Sequence, residues 1–323
     1  MRDVDATVAD GLHPFRNILT GKAIEHHFRR QSKPVVLGED VVPTPWPAWN
    51  WACRGSGGQL GLAKGWHLIL AGNTGAGKSI FALNMAAAAV RAGVSVGFVS
   101  LEMSAEQLIA RMLGIMTGEE VARLERGRSY NPAAAELVRE RMHELVGDAR
   151  LLMNDDDLPD TDPLHHLHDI VALVEHWIAA FGCQMIVVDY MQLAGAGNVD
   201  EVAERVTQVS AAFRRLAKSR KVVTIGLSQF NRTTSANWQD RPRIQGLFGA
   251  SGLENDAHQV AMIDHSRYEK GQHGARTWLT IGKNRHGPEP DIPVWIDYRN
   301  LQVREALPDE ESMWPGVQKA GKR

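Results

Sequence analysis

The sequence predicts an α/β fold with a mostly parallel central sheet and a β-rich C-terminal edge. Three observations predict it. Apolar strands alternate with helical stripes from Gly65 to Ser228, and a glycine-rich loop joins the first strand of that series to its first helix. After Gln259 the rhythm changes to short strands separated by turns. In order, Leu68 to Ala71 reads as a buried strand. Phe81, Leu83, Ala86 and Val90 mark a helix that opens at Lys78. A strand from Val94 to Leu101, a helix from Ala105, a strand near Leu151 and a helix from Leu164 to Ala180 follow. Met185 to Asp189 is again an apolar strand. Val202, Val206, Val209, Phe213 and Leu216 form a helical stripe, and Val222 to Ser228 closes the series. Trp278 to Lys283 and Ile292 to Ile296 are expected to build the C-terminal edge.

The ends differ from this core. Ile24 to Arg30 is a short amphipathic stretch. Pro43, Pro45 and Pro47 then predict an extended connector packed onto the core through Trp46, Trp49 and Trp51. Residues 308–323 form a polar tail expected to fray. Two cysteines among 323 residues exclude a disulfide framework or a cysteine-built metal cluster, and a reducing cytoplasm fits them. No apolar run reaches the length of a membrane span, so no membrane partner is expected. A formal charge of −2 argues against a basic coat for nucleic acid, while leaving room for a local basic channel.

Gly72-Asn73-Thr74-Gly75-Ala76-Gly77-Lys78-Ser79 has the spacing of a Walker A loop, in its strand–loop–helix context. Glycines let successive backbone N–H groups turn toward phosphate oxygens at the positive end of a helix. Lys78 would reach the β- and γ-phosphates of ATP, and the Ser79 hydroxyl would ligate Mg²⁺. Asp189 ends a buried strand, as a Walker B carboxylate does, and would sit beside that ion. Glu102 lies just past the strand ending at Leu101. Carboxyl ends of parallel strands line one crevice, so Glu102 and Asp189 are expected to converge there, Glu102 as the base for the attacking water. His165, His166, His168 and Asp169 have helical spacing that a metal could use, but read first as a polar helix face. Arg214 to Lys221 reads first as a solvated helix end and second as a DNA patch.

Ser100-Leu101-Glu102-Met103, Asp189-Tyr190-Met191-Gln192-Leu193, Leu227-Ser228-Gln229-Phe230-Asn231-Arg232 and Lys283-Asn284-Arg285-His286-Gly287-Pro288 occur in the order of the bacterial replicative (DnaB-type) helicases, which the sequence resembles from about Gly65 to Arg304. The resemblance implies a RecA-like P-loop NTPase motor domain over residues 51–307. Residues 1–50 would be an extension or linker able to dock on an adjacent protomer, and too short for the family's helical N-terminal domain. It further implies an ATP-hydrolysing DNA helicase that moves 5′ to 3′ on single-stranded DNA as a ring hexamer, in a bacterial or phage-infected cytoplasm, with a primase or helicase loader as further partners. Gln229 matches the family's γ-phosphate sensor. Lys283 and Arg285 match the pair that reaches into the neighbouring subunit's nucleotide, and alternation along the strand puts both on one face. Arg232, Arg241 and Arg243, with Trp238, form a loop that could hold a DNA backbone. The first DNA-facing loop, after Leu193, lacks the family's basic residues. Phe248 stands where the family is usually basic, and His258 where it usually has Asp. Two other readings stay open: a RecA/Rad-type recombinase, and a regulatory ring ATPase that never touches DNA.

Overall fold

The computed structural model of the protein describes residues 40–53, 60–127, 132–154, 164, 166–195, 201–231 and 240–306. All belong to one compact unit that begins at Val36. The amphipathic stretch 24–30, the polar tail, His165, Arg232 and Trp238 lie outside the described residues.

In chain order the elements are β1 (Val41–Val42), α1 (Pro47–Ala52), β2 (Leu62–Ala63), β3 (His67–Gly72), α2 (Lys78–Arg91), β4 (Val96–Ser100), α3 (Ala105–Thr117), α4 (Val121–Leu124) and α5 (Pro132–Met142). They continue with β5 (Leu151–Met153), α6 (Leu167–Phe181), β6 (Met185–Asp189), α7 (Val202–Arg220), β7 (Val223–Gln229) and α8 (Ala250–Asp256). The antiparallel strands β8 (Gln259–Lys270), β9 (Gly274–Asn284), β10 (Asp291–Asp297) and β11 (Val303–Glu305) end the series. Nine strands among the described residues make one sheet in the order β11-β10-β9-β8-β3-β7-β6-β4-β5, parallel from β8 to β5. This is the predicted architecture.

Strand alternation builds two cores. Leu68, Leu70, Met185, Val187 and Phe98 face α2 and α3, whereas Ile69, Ala71, Ile186, Val188 and Val99 face α6 and α7. α3 is capped by the Ser104 hydroxyl, which accepts from the Gln107 amide, and ends at Gly118 in the left-handed region.

Three expectations are corrected. The proline-rich connector is not extended throughout: Pro47 opens the short helix α1, because proline suits the first helical turn, where its missing N–H is no loss. Trp46 and Trp49 are buried and stacked 5.6 Å apart, but Trp51 is 54% exposed, since a helix of six residues turns it away from the core. The C-terminal strands are long, with 12 residues in β8 and 11 in β9, because β8 runs on past its pairing with β3 and folds back as a hairpin.

His67 opens β3 fully buried, with one ring nitrogen bonded to Thr224 Oγ1 (2.9 Å) and the other to Ser210 Oγ (3.1 Å). Burial, with the nearby charges of His258 and Arg214, pushes its pKa down to about 3. A depressed folded-state pKa gives stability that is present above the unfolded value of about 6.5 and is lost as pH falls toward the folded one. Lowering the pH from neutral to about 5 is therefore expected to cost about 2 kcal/mol through His67. Denaturant titrations at both pH values check this. His67→Gln should flatten the difference, and an equal loss in that variant would acquit His67.

Candidate nucleotide site

The C-terminal ends of β3, β7, β6 and β4 open on one side of the sheet, and α2 begins there. Gly75 and Gly77 have φ of 76° and 91°, which lets the loop curl back over the start of α2. Lys78 is only 7% exposed and donates from Nζ to the carbonyls of Gly72 (3.2 Å) and Asn73 (3.0 Å). Burial lowers its pKa, while the carboxylates of Asp189 and Glu102 act against that.

β7 stands between β3 and β6, so the end of β7 projects into the middle of the site. Asp189 still faces Ser79 across that gap, where the hydroxyl favours the ionised carboxylate. Asp189 is 2% exposed, and its Oδ1 has no hydrogen-bond partner among the described residues. Burial, offset by Ser79 and reinforced by Glu102, raises its pKa to about 6. A hydroxyl beside a buried carboxylate with one unsatisfied oxygen is a donor set that suits a hard divalent cation such as Mg²⁺.

Register explains Glu102. Ser100 pairs with Asp189, and the Leu101 N–H donates to the Asp189 carbonyl at 2.8 Å, so Glu102 emerges beside Asp189. Its exposed carboxylate is felt by Lys78, Asp189 and Tyr190. Gln229 ends β7 in register with Gly72, accepts from the Thr74 hydroxyl (3.4 Å) and lies close enough to Tyr190 to act on its hydroxyl.

Three residues that the sequence reading left without a role join the site. Tyr190 lies near Gln229 and Glu102, and burial, reinforced by the Glu102 charge, raises its pKa. The Arg111 cation, on α3, acts on Asp189. A cleft of about 490 Å³ opens beside Ile80, lined among others by Arg111, His273, Tyr298 and Leu301. Nothing local marks Tyr298, although Arg111 lies in the helix that follows Ser100-Leu101-Glu102-Met103.

Lys283 and Arg285 are not in this crevice. They follow β9 to the opposite edge of the sheet, where Lys283 Nζ donates to the Glu254 carbonyl and Arg285 to that of Asn255, at the C-terminal end of α8. The Arg285 N–H donates to the His258 carbonyl (3.0 Å), and the His258 N–H to that of His67 (2.8 Å). The cations thus lie at the first residue of β3, while the phosphate loop leaves its last.

Of the loop arginines, Arg241 is ion-paired with Asp291 (2.6 Å), and Asp291 also meets Arg267 (3.2 Å). Arg243 is exposed. The basic run is structural in part: Arg214 pairs with Asp256 (3.0 Å) and Arg220 with Glu175 (2.8 Å). His166 and His168 gather no metal cluster among the described residues.

The family model for the DnaB-like helicase C-terminal domain matches residues 58–302. The chain belongs to that family. It is 29% identical to the replicative DNA helicase DnaB of Leifsonia xyli over 238 residues, covering 72% of this chain and 50% of that one. It is also 29% identical to the DnaB of Geobacillus stearothermophilus over 257 residues, covering 77% and 55%. The chain thus spans about half the length of the curated relatives it matches. Among solved structures, one described as an ATPase domain superposes with a TM-score of 0.71 at 17% identity, covering 88% of this chain and 97% of that one. A DnaB-like replicative helicase, described together with its interactions with primase, also gives 0.71, at 18% identity and 89% and 68% coverage. These two likenesses show the fold of a DnaB-type ATPase domain. Among the described residues, no helix is long and apolar enough to cross a membrane.

Proposed function

We propose that this DnaB-family chain is the ATP-hydrolysing motor of a replicative-type DNA helicase, acting as a ring hexamer on single-stranded DNA. The observation that carries the reading is the convergence of Lys78, Ser79, Asp189, Glu102 and Gln229 on one crevice, with Lys283 and Arg285 beside the opposite end of β3. β3 has six residues, so at ~3.3 Å per residue the cations start about 16 Å from their own phosphate loop. A finger that cannot reach its own cradle supports completion of the site by a neighbour. That arrangement, together with the family, favours the ring motor over the recombinase.

In this mechanism the loop amides and Lys78 hold the phosphates, which replace the Gly72 and Asn73 carbonyls as partners of Nζ. Ser79 and Asp189 would hold Mg²⁺, which neutralises phosphate charge when bound. Glu102 orients the water and takes its proton. The cleft that opens beside Ile80, with Tyr298 in its wall, would take the base. Lys283 and Arg285 from the next subunit stabilise charge on the transferring group. Gln229 senses that group and passes its state along β7 to the loop at 232–243. The nearest test is ATP turnover with and without single-stranded DNA, alongside strand displacement. Turnover indifferent to DNA would favour the regulatory ring.

Replacing Arg232, Arg241 and Arg243 by Ala should weaken single-strand binding and flatten its salt dependence by ~0.7 in log–log slope per lost phosphate contact. Arg241 must first leave Asp291, so its share should be the smaller of the two when compared singly with Arg243. Fluorescence anisotropy across a salt series decides, and an unchanged slope would move the DNA path elsewhere.

A further inference from the structure

The segment that carries the two cations is held by its other face. Along 283–286 the odd positions, Lys283 and Arg285, reach to the end of α8. The even positions turn inward. Asn284 donates from Nδ2 to the Ala52 carbonyl (2.9 Å) and from the same group to the Pro288 carbonyl (2.9 Å). Its Oδ1 accepts from Gln259 (3.1 Å), whose own amide oxygen accepts from the Trp49 indole (2.9 Å). His286 lies on Trp66, with ring centroids 4.4 Å apart and planes 9° from parallel. His258 flanks both rings at 6.0 and 5.8 Å. Gly287 closes the segment against α1, where a Cβ would stand 2.1 Å from the Ala52 oxygen.

We propose that His286, lying flat on Trp66, is a positioning residue for Arg285. Trp66 is buried and adjoins His67 at the start of β3, so it is a fixed platform. The imidazole is exposed on its outer side and contributes little to the core. Arg285 itself has one backbone tie, to His258, and a side chain resting on a helix-end carbonyl that it must leave to act. Pinning the next residue on a flat, buried ring limits how far Arg285 can swing when it leaves. The role is that of a stop behind the cation, and it touches neither nucleotide nor DNA.

This inference rests on Arg285 acting in trans, and the experiment separates the two. ATP turnover is measured in the full chain with single-stranded DNA for His286→Ala, His286→Phe, Arg285→Ala and the Arg285→Ala/His286→Ala double variant. His286→Ala should lower kcat by about threefold to tenfold, the scale of one lost ring stack, with little change in KM for ATP. His286→Phe, which keeps a flat ring and loses the nitrogens, should restore most of it. In the Arg285→Ala background His286→Ala should cost nothing more, because there is no finger left to position. A merely structural role would slow that background further and lower the melting temperature. Arg285→Ala impaired with His286→Ala at the wild-type rate overturns the positioning role alone. Arg285→Ala at the wild-type rate removes the finger and the positioning role together.

Discussion

Lys78→Ala is expected to abolish ATP turnover, by at least ~10²–10³-fold in kcat, because the β- and γ-phosphates lose a cation held in a nearly dry site. Only 7% of Lys78 is exposed, so little water can substitute for the missing charge. Glu102→Gln should reduce turnover by about 10²–10⁴-fold for a different reason, the loss of the base, while ATP still binds. Glu102 is exposed, so this change leaves the fold intact. Equilibrium binding of a fluorescent ATP analogue separates the two variants: Glu102→Gln should bind and Lys78→Ala should not. Single-turnover hydrolysis by Glu102→Gln at the wild-type rate would remove Glu102 from the chemistry.

Arg285→Ala should bind ATP nearly normally yet hydrolyse it about 10³-fold more slowly, as expected for a lost arginine finger. Mixing it with Lys78→Ala tests assembly and chemistry together. The cradle and the finger occupy opposite ends of β3, so head-to-tail contacts place them at different interfaces. In an equimolar random ring about a quarter of the interfaces then pair an intact cradle with an intact finger, so activity should return toward that fraction. A finger acting within its own subunit would give no recovery, because neither variant owns a complete site. Native mass spectrometry confirms that subunits have exchanged. With exchange shown and no activity regained, the trans finger and the ring argument built on it would have to be given up.

Much of this site is legible in the chain because its parts are local. The phosphate loop needs eight consecutive residues between a strand and a helix. The carboxylates Asp189 and Glu102 announce themselves as the first charges after buried strands, and Ser100 pairing with Asp189 brings them together as parallel geometry requires. Other features have no local signature. Arg241 reads as a free loop cation but its charge is committed to Asp291, 50 residues away. Tyr298 reads as one more residue in a turn, and only the packing of that turn beside Ile80 puts it in the wall of the cleft.

By itself the sequence determined the type of the alternating elements from Gly65 to Ser228 and the face they bury, because period-two and period-3.6 patterns record which side of a segment meets the core. It also determined the chemistry of the cradle and, through ordered motifs, the family. Tertiary structure alone decided which strands are neighbours. It put β7 between the phosphate loop and Asp189, and so delivered Gln229 to the centre of the site. It laid His286 on Trp66 and rested Arg285 on the end of α8, far from its own cradle. Those pairings join residues tens to hundreds of positions apart. They are selected by how whole faces pack, which no short window of sequence contains.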